Sequence, residues 1–88
     1  MDEQLLTKQL QDEGFDDVYV WEDGPNMNYP PHQHPGVSAH IILAGEMMVT
    51  LNGDTRTYKP GDRFDIPGKT PHSARVGPEG CKYLVGEK

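Results

Sequence analysis

The sequence holds a single cysteine, a single tryptophan, no cluster of Lys or Arg, and no apolar run longer than four residues. Each shortage removes a class of function. One thiol, Cys81, cannot close an internal disulfide, so the fold is not a disulfide scaffold and a reducing compartment is expected. With 8 basic against 14 acidic residues and a formal charge of −6, the chain lacks the cationic surface that a phosphate backbone or an anionic bilayer attracts. Neither nucleic acid nor membrane is expected as a partner. The opening Met1-Asp2-Glu3-Gln4 has neither the basic region of a signal peptide nor the apolar length of a spanning helix, so a cytoplasmic location is expected. No Ser or Cys stands in a nucleophile motif, and no paired carboxylates suggest glycosidase chemistry.

What is present fits one small domain. At 88 residues and 34% hydrophobic side chains, a second core is out of reach, and the one core is thin enough to gain from a bound metal or a dimer interface. Leu5, Leu6 and Leu10 recur at near-helical spacing before Gly14, which predicts one short amphipathic helix. Residues 1–16 are read as this helix and its lead-in, and residues 17–88 as a single β domain. Val18-Tyr19-Val20-Trp21 is a β-prone run closed by the turn residues Glu22-Asp23-Gly24-Pro25-Asn26. Further strands are predicted at Ser38 to Ala44, Glu46 to Leu51, Asp54 to Lys59, Arg63 to Ile66, Ser73 to Val76 and Cys81 to Val85. Turn chemistry at Asn52-Gly53, Pro60-Gly61, Pro67-Gly68 and Gly77-Pro78-Glu79-Gly80 separates them, as in a sandwich or small barrel.

Three of the four histidines, His32, His34 and His40, fall within nine residues. In extended chain His32 and His34 point to the same side, a spacing that one metal ion can bridge. Pro30, Pro31 and Pro35 restrict the backbone around them and reduce the entropy lost when the imidazoles converge. His72 follows the rigid Pro67-Gly68-Lys69-Thr70-Pro71 corner, from which a third imidazole can enter.

In this order the residues resemble the two motifs of the cupin superfamily. In the first motif His32, His34 and Gly45 match, Asn26 stands at the opening glycine, and Ser38 stands where a glutamate is usual. In the second, Gly61, Pro67 and His72 match, while Lys69 replaces a glycine and Val76 an asparagine. The resemblance covers Tyr29 to Val85. It implies an all-β, double-stranded β-helix barrel in which His32, His34 and His72 hold one divalent transition metal: iron, nickel, zinc, manganese or copper.

Replacement of the glutamate by Ser38 leaves three neutral imidazoles and the full charge of the ion, a site suited to a small anionic molecule. Alternation along the strand puts Ser38, His40 and Ile42 on the inward face, with Ser38 and Ile42 as pocket residues. His40 is either a fourth ligand or a group hydrogen-bonded behind the other three. Two functions stay open: an oxygenase, or related lyase or isomerase, acting on a small anionic metabolite, and a metal-dependent binding or sensing module without turnover. A structural zinc site is a third, and it requires His40 as a ligand. Cys81 is read as a small core residue, and only one of Met47 and Met48 can face the pocket. Tyr29 either packs on Pro30-Pro31 or donates a proton near the site. Outward-facing Ala39, Ile41 and Leu43 form an apolar strip that leads to the expectation of a homodimer.

Overall fold

The computed structural model describes all 88 residues. Helix α1 (Glu3–Asp12) begins where the Asp2 side chain accepts the Leu5 N–H at 3.1 Å, supplying a partner for a donor that the first turn leaves free. Six antiparallel strands follow: β1 (Asp17–Asp23), β2 (Asn28–His32), β3 (Ser38–Leu51), β4 (Asp54–Tyr58), β5 (Arg63–Ile66) and β6 (His72–Glu87).

Two long strands organise the sheet. β3 and β6 pair with each other along most of their length, and each takes two further partners in succession. β3 pairs with β5 through Ser38 to Ile41 and with β4 through Met47 to Leu51. β6 pairs with β2 near His72 to Arg75 and with β1 from Cys81 to Glu87. The single sheet thereby rolls around an interior instead of lying flat.

This arrangement corrects the strand boundaries read from the sequence. Gly45 does not end a strand, and Gly77-Pro78-Glu79-Gly80 is not a chain-reversing turn: both lie within β3 and β6. The register shifts between Gly45 and Met47 on β3, which face Cys81 and Val76 on β6, so residues 77–80 bulge out of the ladder. Turn-forming residues here switch a strand from one partner to the next. β2 was not among the predicted strands because its two prolines lower strand propensity; it pairs only briefly, with a register break between Tyr29 and His32.

The four positions at which the motifs call for glycine, namely Asn26, Gly45, Gly61 and Lys69, all have φ between +57° and +93°. Asn tolerates this left-handed region, whereas Lys69 adopts it at a cost of about 1 kcal/mol. The departures in sequence therefore leave the backbone conformation in place.

Alternation divides the apolar residues into two cores. Inside the sheet lie Ile42, Met47, Val49, Phe64, Ile66, Val76, Cys81, Tyr83 and Val85. On its outer face Leu10 and Phe15 cover Ala39, Ile41 and Leu84, with Leu43 packed at the margin. The apolar strip of β3 is thus covered largely by the chain's own N-terminal segment, with Leu43 left partly exposed. Cys81 is 3% exposed, and burial pushes its thiol up to about 11, as befits a core residue. Met47 is the inward methionine of the pair. No helix is long and apolar enough to cross a membrane.

Candidate metal centre

His32 and His72 are directly opposite each other in the β2–β6 ladder, which places their rings on one face with centroids 4.3 Å apart. His34 lies just beyond β2, its ring 4.8 Å from that of His32 and 5.2 Å from that of His72. The two loops that carry these histidines are tied together, since the Lys69 N–H donates to the His34 carbonyl at 2.6 Å. A Cβ added at Gly68 would fall 2.7 Å from the Pro35 carbonyl oxygen, so the loops approach closely only because that side chain is missing.

The donor set fits a transition metal. One nitrogen from each of the three rings falls within 4.8 Å of the other two. Nδ1 of His32 lies 2.7 Å from the Pro30 carbonyl and Nδ1 of His72 lies 2.9 Å from the Thr70 carbonyl. A carbonyl only accepts, so both Nδ1 atoms carry the proton and both Nε2 lone pairs are free for an ion. Burial, reinforced by the neighbouring imidazoles, lowers the His72 pKa and keeps the ring in the neutral form that ligates.

The remaining predicted site residues divide. Ser38 is buried and lines the same cavity as the three histidines. Ile42 shares the inward face but is fully enclosed in the core and does not line that cavity. His40 lines the cavity but is not one of the three clustered rings. It stacks on Phe64 at 4.5 Å with an interplanar angle of 8°, and its Nδ1 is buried without a hydrogen-bond partner. Desolvation holds its pKa down to about 4, against a smaller opposing effect of the Phe64 backbone.

The sequence did not single out the aromatic wall of the cavity. Asp23, read as part of a turn, is 8% exposed and accepts three hydrogen bonds. They come from the Tyr29 hydroxyl at 2.6 Å, the Tyr83 hydroxyl at 2.8 Å and Trp21 Nε1 at 3.0 Å. Tyr29 is therefore neither simply packed on the prolines nor a free proton donor: its proton is held by Asp23, and burial raises its pKa. The alternation of Tyr19, Trp21 and Asp23 along β1 was the available signal.

A cavity of about 800 Å³ joins these features, lined by the histidines and Ser38 together with Tyr19, Trp21, Tyr29 and Tyr83. The family model for the cupin domain matches residues 19–86. The chain belongs to the cupin family. This cupin is 32% identical over 67 residues to the dimethylsulfoniopropionate lyase DddW of Ruegeria pomeroyi, covering 76% of this chain and 44% of that protein. It is 37% identical over 60 residues to the dimethylsulfoniopropionate lyase DddQ of the same organism, covering 67% of this chain and 30% of that one. The crystal structure of DddQ superposes with a TM-score of 0.73 and 33% identity over 81% of this cupin and 36% of the DddQ chain. A cupin-2 domain protein of Shewanella frigidimarina matches with a TM-score of 0.69 at 18% identity, over 80% of this chain and 67% of that one, a likeness of fold. This cupin spans less than half the length of the two curated relatives.

Two expectations follow from this centre. Ser38→Glu places a carboxylate at a buried cavity position and lowers the net charge of a loaded site by one unit. Metal should bind at least about tenfold more tightly and anions more weakly, as read by metal titration with and without acetate. Unchanged affinity would show that position 38 does not face the ion.

The second expectation concerns acid. An unfolded imidazole takes up its proton near pH 6.5, whereas folded His40 stays neutral until about pH 4. Between those values the unfolded chain holds the extra proton, so stability present above pH 6.5 is lost as pH falls through this window, and His72 shifts in the same direction. Urea unfolding of metal-free protein should show a loss of about 2 kcal/mol from His40 alone between pH 7 and pH 5. His40→Leu should flatten that dependence. An unaltered slope in the variant would place the titrating group elsewhere.

Proposed function

We propose that this cupin is a metal-dependent lyase acting on a small carboxylate. The observation that carries the reading is the cluster of three imidazoles, two of them with Nδ1 on a carbonyl and Nε2 free, beside a roomy cavity. Two curated relatives that act as lyases favour elimination over oxygenation among the reactions such a centre supports. His32, His34 and His72 would hold one divalent ion, with iron, nickel, zinc, manganese and copper all compatible with nitrogen ligands. When bound, the ion would supply Lewis acidity toward a carboxylate and so acidify its α-hydrogen.

The residues of the chain divide the remaining tasks. The two carbonyl contacts to Nδ1 keep the ligand rings oriented, and the Pro30-Pro31 and Pro67–Pro71 segments fix where they start. Phe64, Val49 and Ile66 line the cavity with apolar surface, which lowers the local dielectric and strengthens charge interactions within it. Elimination passes the α-hydrogen to a base as a proton while the bond to the β-substituent breaks and that group leaves with the electron pair; His40 is the one cavity imidazole outside the cluster that could take the proton.

A second reading is binding or sensing without turnover. It is favoured by the reluctance of His40 to hold a proton and by the commitment of three cavity phenols to carboxylates, which leaves only a weak base and no free acid at rest. The test loads the protein separately with each of the five metals after elemental analysis of the purified form. Each sample is then incubated with dimethylsulfoniopropionate, and alkene signals are followed by proton NMR. Metal-dependent alkene formation that disappears in His72→Ala supports the lyase. Saturable binding without any alkene, for every metal, would overturn it in favour of the binding module.

A further inference from the structure

The aromatic wall beside the histidines has an electrostatic character of its own. Strand alternation brings Tyr19, Trp21 and Asp23 to one side of β1, and Trp21 pairs in register with Tyr83 on β6. Four aromatic side chains of this wall carry a polar hydrogen, and every one is given to a carboxylate. Trp21, Tyr29 and Tyr83 donate to Asp23, and the Tyr19 hydroxyl donates to Glu87 Oε1 at 2.9 Å. Acceptance of three hydrogen bonds is the behaviour of an ionised carboxylate, so Asp23 backs the wall as an anion, with the Glu87 carboxyl beside it.

Two consequences follow. No donor remains on the wall for a ligand oxygen, which disfavours a carboxylate, a phosphate or a sugar hydroxyl there. What the wall offers is π faces and phenol lone pairs, and both attract positive charge. The phenols keep this character, because burial and the adjacent carboxylates raise the pKa of Tyr19 to about 12 and that of Tyr83 further. The wall also lacks a cation of its own. Lys88 is the only lysine or arginine lining the cavity, and its ammonium is turned away, 4.4 Å over the Phe15 ring and bonded to the Glu13 carbonyl at 3.2 Å.

We propose that this Asp23-centred wall is a binding site for an alkylated cation, a quaternary ammonium or sulfonium group that carries no N–H donor. The ligand of the cavity is then a short zwitterion, its cation on the wall and its anion toward the histidines. The two regions adjoin, since the Tyr29 ring lies 6.4 Å from that of His32. The zwitterion deepens the proposed function and rests on it; the cation site itself does not require a metal. Asp23 is the specificity-determining residue, because it orients three of the four donors away from the ligand.

The test uses the metal-free protein and two probes of one shape, choline and its uncharged carbon analogue 3,3-dimethylbutan-1-ol. Trp21 is the only tryptophan and lines the site at 51% exposure, so its emission reports occupancy directly. Broadening of the methyl singlet that both probes carry gives a second readout. Choline should bind at least roughly tenfold more tightly than the analogue, as expected for a cation held by more than one ring. Asp23→Asn, which introduces an amide donor, should erase most of that preference. Where Asp23→Asn unfolds, Glu87→Gln at the exposed margin should reduce the preference in part. A preference below tenfold in the unaltered protein overturns the cation site. Choline binding that survives His72→Ala while alkene formation is absent would sink the lyase and leave this site standing; alkene formation without choline preference would do the reverse.

Discussion

Replacing His32, His34 or His72 with alanine should reduce metal content from about one ion per chain to near zero after dialysis, in each variant separately. A ligand imidazole contributes directly to the coordination bond, and even the groups behind such ligands alter affinity by 10- to 100-fold, so the loss of a ligand should exceed about a hundredfold. The unaltered protein should also gain thermal stability when metal is added, because an ion that binds only the folded state shifts the equilibrium by mass action. That gain should vanish in the three variants. His40→Ala is the informative companion: with its ring stacked on Phe64 and outside the three-imidazole cluster, it should retain the ion. Loss of metal in His40→Ala with retention in any of the other three would overturn the ligand set.

The largest expected effect on stability comes from Gly45→Ala. The residue has φ +76°, and an added Cβ would lie 2.0 Å from the Gly80 carbonyl oxygen and 3.0 Å from the Cys81 Cα. Both obstacles are backbone, so β3 and β6 would have to separate where their ladder already shifts register. The left-handed conformation costs about 1–2 kcal/mol and forced overpacking about 1–3 more. A fall in Tm of about 15 °C or greater is expected for a domain of this size. Gly53→Ala is the control, with a similar φ of +78° but open space around it. It should cost only the conformational share, a few degrees. Equal losses in the two variants would show that conformation, not the approach of the strands, governs Gly45.

The cluster of three histidines was legible because a shared ligand imposes spacing on residue types. His32 and His34 lie two apart and His72 lies on a fixed corner, and neither relation depends on long-range packing. The motif glycines were legible for a related reason: a left-handed φ limits which residues a position accepts, and Asn26 and Lys69 show how far that limit bends. The strand ends were harder to read. Gly-Pro-Glu-Gly has the local chemistry of a reversal, and only the presence of β1 and β2 beside β6 turns it into a bulge. Asp23 escaped notice because Glu22-Asp23-Gly24-Pro25 reads as a solvated turn. Its burial depends on Tyr83, sixty residues away in sequence, which strand alternation alone does not bring to it.

The pairing scheme of β6 also bears on how the protein is made. This strand supplies partners for β1, β2 and β3, and it carries His72 at its first position. During synthesis the β3–β4 hairpin, closed by Asn52-Gly53, can form as soon as it leaves the ribosome, since its contacts are local. β1 and β2 have no such neighbour and must wait for the 16 residues from His72 onward. Until then the His32 and His34 rings lack the third imidazole that His72 brings to them. A nascent chain arrested before His72 lacks the third imidazole and should emerge without an ion.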